Sequence, residues 1–139
     1  MARVVKRSHP APNSSPEWTV FDREAPARAI LDQITGRWGL LVLMGLSSGK
    51  KRFGELHHLV EGCSEKMLAR ALRDLERSGL VTRTPYPTIP PRVDYELTTI
   101  GAQAAKVAVA LAEWVQANTT KIRRHQATHD RKNSNVSDK

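Results

Sequence analysis

Apolar residues recur along most of this chain at spacings of three and four, the periodicity of amphipathic helices. The pattern predicts a first helix over residues 26–36, because proline suits the first helical position and glycine ends a helix. Its predicted buried side is Ile30, Leu31 and Ile34. A second helix is predicted over residues 38–47, which are apolar nearly all round, and such a helix belongs at the centre of a core.

The middle of the chain predicts a short strand followed by two closely spaced helices. The strand covers residues 50–53 and the first helix residues 53–60, with Phe53, Leu56 and either Leu59 or Val60 facing inward. After a turn at Gly62, Ser64 is placed to cap a second helix of about four turns. A helix, a tight turn with glycine and a second helix make a helix-turn-helix pattern.

The last third of the chain predicts a β-hairpin and a long helix. Residues 80–84 and 93–97 have the features of strands around the loop PYPTIPPR, whose prolines restrict the backbone. Thr98 or Thr99 is predicted to cap a final helix that runs to about residue 122. This order of elements predicts an α+β, mainly α, fold of the winged helix-turn-helix class, in which the hairpin is the wing.

The helix behind Ser64 has two contrasting faces. Lys66, Arg70, Arg73 and Arg77 lie within an arc of roughly 60°, opposite Leu68, Leu72 and Leu75. A helix held to a core by leucines and offering a row of cations fits the major groove of DNA. The alternative is an ordinary solvated face, in which Glu65, Asp74 and Glu76 pair with the cations.

The distribution of charge along the chain is better evidence for DNA binding by the helix behind Ser64 than the net charge is. The net charge is +8 and the pI about 10.2, which favours a polyanionic partner. Residues 1–16 contain three cations and no anion, and residues 121–139 contain six cations and two anions. Residues 17–120 contain 13 cations and 12 anions and are therefore nearly neutral. The helix behind Ser64 is thus the better indication of DNA binding, and the two ends of the chain add only unspecific attraction to phosphates.

Composition predicts one domain between two tails. With 40% hydrophobic residues the profile is globular, and we expect a domain over residues 17–124 with disordered tails at 1–16 and 125–139. Cys63 is the only cysteine, and no apolar signal core or membrane-length apolar run appears. We therefore expect a cytoplasmic protein with no membrane partner.

From Ala25 to Trp114 the chain resembles the HxlR family of bacterial MarR-like transcriptional regulators. The matching pieces are AILDQITGRW at 29–38, KRFGEL at 51–56, SEKMLARALRDLERSGLV at 64–81, PPRVDYELTTIG at 90–101, and Trp114. The resemblance implies a homodimeric transcriptional regulator, expected to be a repressor, whose recognition helices and wings contact double-stranded DNA at an inverted-repeat operator.

The two ends of the domain offer the apolar surface that such a dimer needs. They contain more large apolar side chains than a small domain usually leaves exposed. We therefore expect the N- and C-terminal helices to form the dimer interface. The residues assigned to it are Trp18, Phe21, Ile30, Ile100, Val107, Leu111, Trp114 and Val115. The alternative is that these side chains pack within a single domain.

Positions along the recognition helix predict different contacts with DNA. Side chains near its start reach base edges, so Lys66, Met67 and Arg70 are predicted to contact bases. Arg73 and Arg77 are predicted to contact phosphates or to form salt bridges. Ser64 is expected to offer its hydroxyl and the first helical N–H groups to a phosphate.

Three further cations are predicted to contact DNA outside the recognition helix. Lys51 and Arg52 precede the helix-turn-helix and are expected to hold the flanking backbone. Arg92, at the end of the wing loop, is predicted to enter the minor groove or to hold a phosphate. The alternative for Arg92 is an ion pair with Asp94 or Glu96.

Cys63 is the one cysteine that could act as a redox sensor in this sequence. The resemblance implies a redox- or electrophile-sensing cysteine before the proline that opens the first helix, but this chain has Ala25 there. Cys63 is the candidate redox sensor that remains, because the helix dipole and Lys66 would lower the pKa of its thiol. The alternative is that Cys63 packs as a small apolar residue.

The sequence predicts no enzyme and no cofactor. It contains no nucleophile at recognised spacing from a base and no glycine-rich phosphate loop. His57 and His58 are adjacent and point about 100° apart on a helix, so no metal site is expected.

The rival interpretations of the function are an architectural DNA-binding protein without sequence preference and a winged-helix protein-interaction module. A small-molecule or electrophile effector, bound between the second helix and the dimer helices, also stays open.

Overall fold

The computed structural model of the chain describes residues 19–137 and shows a winged helix. The elements are a 3₁₀ helix (Thr19–Phe21), α1 (Pro26–Thr35), α2 (Arg37–Leu46), β1 (Lys51–Arg52), α3 (Phe53–Leu59), α4 (Glu65–Arg77), β2 (Val81–Tyr86), β3 (Arg92–Leu97) and α5 (Thr99–Ser137). The strands form one antiparallel sheet in the order β1-β3-β2. The predicted fold class is therefore confirmed.

Helix α2 lies at the centre of the core, as its apolar sequence predicted. Val42 and Leu43 are completely buried, and α2 packs against α1, α3, α4, α5 and β3. Leu56 of α3 is also completely buried. Of the two alternatives at the end of α3, Val60 faces inward, with 3% of its surface exposed, whereas Leu59 is 54% exposed.

The wing is a regular antiparallel hairpin. Its register runs from the pair Val81–Leu97 to the pair Tyr86–Arg92, so β2 extends two residues beyond its predicted end at residue 84. Pro85 is accommodated because β2 is an edge strand of the sheet.

The start of α5 is fastened to the end of α4. Between the two predicted caps the structure uses Thr98, whose Oγ1 accepts a hydrogen bond from the Gly101 N–H at 3.1 Å and donates to the Gly79 carbonyl at 2.6 Å. The Thr98 N–H also donates to the Leu80 carbonyl at 3.0 Å. Gly101 is buried against the backbone of Leu80, which joins α4 to β2. The first turn of α5 therefore packs tightly on the segment between the recognition helix and the wing.

The predicted buried face of α1 is wrong for the single chain. Ile30 is 48% exposed and Leu31 is 41% exposed, and only Ile34 packs against the core. Apolar periodicity identifies a face that needs covering, but within one chain only its Ile34 end reaches the core.

The predicted end of the last helix and the predicted disordered tail at 125–139 are also wrong as far as the structure describes them. Helix α5 continues to Ser137. Its sequence contains no proline and no glycine after Gly101, and the hydroxyls of Thr119 and Thr128 donate to carbonyls four residues earlier. Nothing in these residues therefore interrupts the helix, and low hydrophobicity alone misled the prediction.

Two further expectations concern the N-terminal residues and the possibility of a membrane-spanning helix. The predicted tail at 1–16 and the predicted dimer residue Trp18 lie outside the described residues. Within 19–137, none of the helices is individually long and apolar enough to cross a membrane; α1 and α2 reach that length and apolarity only as a pair bent by 71°.

Candidate nucleic-acid interface

Helix α4 is held firmly at both ends and along one face. At its start the Met67 N–H donates to Ser64 Oγ at 3.1 Å, which confirms Ser64 as the cap. At its end Gly79 has a φ of +76°, a conformation that favours glycine, and the Leu80 N–H donates to the Leu75 carbonyl at 3.0 Å. The leucine face formed by Leu68, Leu72 and Leu75 is buried.

The opposite face of α4 presents its cations to solvent. This cationic row consists of Lys66, Arg70, Arg73 and Arg77, all exposed, and beside it Met67 is 47% exposed. Among residues 19–137, no acidic side chain lies within 4.0 Å of these four charges, so the pairs considered with Glu65, Asp74 and Glu76 do not form. Within the described residues, the four cations are therefore not engaged in direct ion pairs.

The turn between α3 and α4 is braced by His57. Its Nε2–H donates to the Cys63 carbonyl at 2.8 Å, and its ring stacks on Phe53 with 6.3 Å between centroids. At the start of α3 the Arg52 N–H donates to Glu55 Oε1 at 2.8 Å. The bond from His57 to the Cys63 carbonyl ties α3 to the turn that leads into α4, and so helps to fix the position of the recognition helix relative to α3.

Cys63 lies inside the core rather than at the surface. Only 5% of its surface is exposed, and burial raises the pKa of its thiol. The predicted lowering of that pKa is therefore wrong, because burial takes the thiolate out of water and so disfavours the charged form.

The cations that precede α3 differ in how they are held. Lys51 is half-buried, and its Nζ donates to Ser48 Oγ at 3.0 Å. The Arg52 side chain is exposed and lies opposite Asp94 in the sheet register. Arg52 is thus the more available of the two for a phosphate.

Arg92 is engaged within the wing. Its Nε donates to Asp94 Oδ1 at 3.0 Å and an Nη donates to Asp94 Oδ2 at 2.9 Å, while its Cζ lies 4.7 Å from the centroid of the Tyr86 ring. Of the alternatives for Arg92, the structure shows the ion pair with Asp94, whereas Glu96 is exposed. The guanidinium is therefore held by Asp94 of its own strand, β3, and by the ring of Tyr86 on β2.

The carboxyl of Asp94 is buried at 4% exposure, and the Arg92 hydrogen bonds hold its pKa below the usual value. A lowered folded-state pKa stabilises the fold above the ordinary carboxyl pKa of about 3.9, and that stability is lost as pH falls through the lowered pKa. We therefore expect Asp94→Asn to be less stable than wild type near neutral pH, with the difference shrinking below about pH 4.

Urea unfolding at several pH values measures this difference, and Glu96→Gln on the same strand is the matched control, because Glu96 is exposed. A difference between wild type and Asp94→Asn that stays constant down to acid pH would contradict the role assigned to the ion pair.

The structure also reveals a connection that sequence reasoning missed. Ser78, which follows α4, donates from its Oγ to Gln33 Oε1 on α1 at 2.7 Å. The two residues are 45 positions apart, and no local pattern indicates their pairing. Helix α1 is thereby tied to the end of the recognition helix.

Helices α1, α2 and α4 surround an open cavity of about 520 Å³. Its lining includes Trp38 from α2 and Gln33 from α1, and Met67 and Arg70 from α4. Two of the residues predicted to contact bases therefore also line a pocket of a size that small ligands occupy.

The residues assigned to the dimer interface lie at the surface of the single chain. Within the described residues, Phe21, Ile30, Ile100, Val107, Leu111, Trp114 and Val115 are each between 45% and 70% exposed. The alternative that they pack within one domain is therefore not what the structure shows. On α5, Ile100, Val107, Leu111 and Trp114 fall within an arc of roughly 60°.

A helix-turn-helix with a solvent-facing cationic recognition helix and a β-hairpin wing defines a winged-helix DNA-binding protein. Residues 33–123 match the family described as HxlR-like helix-turn-helix, and the chain belongs to that family. It is a DNA-binding transcriptional regulator.

Relatives and solved structures agree with this assignment. The HTH-type transcriptional regulator YtfH of Escherichia coli (strain K12) is 41% identical over 106 residues, which cover 76% of this chain and 84% of that protein. The solved regulator ytfH from Salmonella typhimurium is 39% identical with a TM-score of 0.75, covering 77% of this chain and 96% of that one. The redox regulator HypR in its oxidised form is 34% identical with a TM-score of 0.62, covering 68% and 97%.

Proposed function

We propose that the protein is a sequence-specific repressor that binds an inverted-repeat operator as a homodimer. The observation that carries the proposal is the cationic row of α4, which is exposed and lies on a helix whose cap, end and opposite face are all fixed. A helix held in this way, whose cations form no ion pair among residues 19–137, suits the major groove.

The proposal divides α4 between bases and backbone. Lys66, Met67 and Arg70 occupy its first two turns, where side chains reach base edges; arginine can bridge O6 and N7 of guanine, and the exposed methionine can contact a thymine methyl. Arg73 and Arg77 lie further along and contact phosphates in this proposal.

The wing and the start of the motif supply further backbone contacts in this proposal. Asp94 engages two nitrogens of Arg92, so the guanidinium presents its remaining N–H groups in a set direction for a phosphate. Exposed Arg52, with Lys51 beside it on β1, and the capping residue Ser64 at the start of α4 hold further phosphates. These contacts would position the protein without reading sequence.

The homodimer in this proposal uses the apolar arc of α5 together with α1. Exposed apolar side chains aligned along one helix face are typical of a surface that a partner covers. A twofold axis there would repeat α4 and would therefore select a symmetric operator.

We expect Val107→Glu to convert the dimer to a monomer. Val107 is 70% exposed at the middle of the α5 arc, and a carboxylate there would be buried twice across a twofold interface. Dimer affinity should fall about 100-fold or more, measured by analytical ultracentrifugation. Gln116→Glu adds the same charge on the opposite side of α5 and should leave the dimer intact. A monomeric wild type would contradict the dimer.

The signal that releases the operator is assigned here to a small molecule rather than to an electrophile. HypR is a redox regulator, but in this chain Ala25 stands where the family resemblance implies a sensing cysteine before α1, and Cys63 is buried with a raised pKa. The cavity beside Met67 and Arg70 offers a small molecule access to the proposed base-reading residues.

Selection of bound fragments from a random DNA pool tests the proposal. The expected result is an inverted repeat whose half-sites lie about one helical turn apart, and addition of the protein should then lower transcription from a promoter that carries this site. Binding of all fragments alike would favour an architectural protein, and the absence of salt-dependent DNA binding would favour a protein-interaction module.

A further inference from the structure

The loop at the end of the wing carries a large apolar side chain that is fully open to solvent. Ile89 is 100% exposed, and among residues 19–137 it is the most exposed of the large apolar residues. We propose that Ile89 is an apolar wedge that enters the minor groove of DNA beside a half-site and partly opens one base-pair step. This inference rests on the proposed binding of an operator, but it concerns the shape of the bound DNA.

The outer part of the wing is a narrow projection. Strand β1 pairs with β3 no further out than Asp94, so beyond the pair Thr84–Asp94 the sheet has only two strands. The ladder ends at the pair Tyr86–Arg92, and residues 87–91 form the tip. Paired strands lie about 4.7–4.9 Å apart before side chains are added, whereas the minor groove is about 6 Å wide. A single side chain at the tip therefore fits into the groove, but the ribbon does not.

The tip is held in a defined shape. Three of its five residues are prolines, which restrict the backbone, and Thr88 Oγ1 donates to the Pro90 carbonyl at 2.8 Å. At its base the Arg92 guanidinium lies over the Tyr86 ring. A stiff loop thus presents Ile89, so little conformational freedom is lost when the side chain is inserted.

The charges around the tip distinguish a wedge from a surface that only binds phosphates. Residues 84–91 contain no charged side chain, although the chain has a net charge of +8. The nearest cations in the two strands are Arg83 and Arg92. Phosphates are bound by lysine and arginine, whereas side chains such as isoleucine and leucine are inserted between base steps from the minor groove. An apolar tip between two flanking cations fits the inside of the groove with phosphates at its edges.

Insertion of Ile89 would make part of the operator preference independent of α4. Opening a base step costs least at the flexible pyrimidine–purine steps TA and CA/TG. We therefore expect such a step to flank each half-site, and we expect the bound DNA to be bent there.

The probe for this inference is a duplex that the wild-type full chain recovers from a random pool, with 2-aminopurine in the flanking step. Fluorescence of 2-aminopurine measures unstacking, and gel mobility of circularly permuted fragments measures the bend. We expect Ile89→Ala to lower affinity about tenfold, to abolish the rise in fluorescence and to reduce the bend, with an unchanged melting temperature. Ile89→Leu should retain both signals. Val136→Ala removes a 74% exposed apolar side chain from α5 and is the matched control.

Ile89→Lys separates a wedge from a simple phosphate contact. A lysine at the tip adds a cation, so the salt slope should increase by about 1 while the rise in fluorescence is lost. Wild-type binding without a rise in fluorescence, or a rise that Ile89→Ala or Ile89→Lys retains, would overturn the wedge and leave the proposed repressor intact. Absence of all DNA binding would overturn both.

Discussion

Replacing Gly101 with alanine should destabilise the protein by about 3 kcal/mol, one of the largest effects expected of any single methyl group in this chain. A Cβ at this position would overlap the carbonyl oxygen of Leu80 and lie 2.8 Å from the Leu80 carbonyl carbon. Both atoms belong to the backbone, so no side-chain rotation relieves the overlap, and α5 must move away from the end of α4.

The hydrogen bonds around Thr98 make this movement costly. Thr98 joins the Gly79 and Leu80 carbonyls to the first turn of α5, so shifting the helix lengthens several of these bonds together. The melting temperature should fall on the order of 10 °C, measured by differential scanning calorimetry.

Gly54→Ala is the matched control for this substitution. Gly54 lies in α3, is exposed, and has no atom within 4 Å of the position that a Cβ would take. Alanine there should be neutral or slightly stabilising, because alanine favours helices over glycine by about 1 kcal/mol. Equal melting temperatures for Gly101→Ala and wild type would show that α5 does not pack on Leu80 as described.

Replacing Arg70 with alanine should lower affinity for the operator by about 10- to 100-fold, as expected for the loss of a bidentate contact to guanine worth about 1–3 kcal/mol. Arg70 is exposed in the second turn of α4, and within the described residues it has no ion-pair partner that would be left unsatisfied. The loss should therefore appear in recognition and not in folding. Competition binding with operator and random DNA measures both affinities.

The two arginine substitutions should differ in how they change affinity for operator and for random DNA. Arg70→Ala should reduce the preference for operator over random DNA, whereas Arg52→Ala should weaken both alike and reduce the salt slope by about 1. Lys106→Ala removes an exposed charge on α5 and is the control for loss of charge alone. If Arg70→Ala and Arg52→Ala have identical effects on both DNAs, the division between base and backbone contacts is wrong.

Much of the fold could be predicted because it depends on local patterns. Ser64 in front of a helix with leucines at helical spacing indicates a capped, one-sided helix, and the structure has that cap and that buried face. The proline-rich loop between two short apolar segments predicted the hairpin equally well.

The predictions for Cys63 and for the buried face of α1 were wrong because of the surroundings of these residues. The pKa of Cys63 depends on how completely the core excludes water, and the dipole and charge at the start of α4 do not reveal that exclusion. Likewise Ile30 and Leu31 lie on the apolar face of α1, but the direction in which α1 leaves the core determines that they stay uncovered in one chain.

By itself, the sequence determined the class of this protein, the position of its recognition helix and the row of cations along it, since helical periodicity and capping act within a few residues. Only the tertiary structure decided which cations are available. Asp94 engages Arg92 two residues away on the same strand, while the cationic row from Lys66 to Arg77 stays without acidic partners among residues 19–137. Spacing along the chain offers charged side chains several partners, but an ion pair needs a distance of a few ångströms, and packing decides which of the partners comes that close.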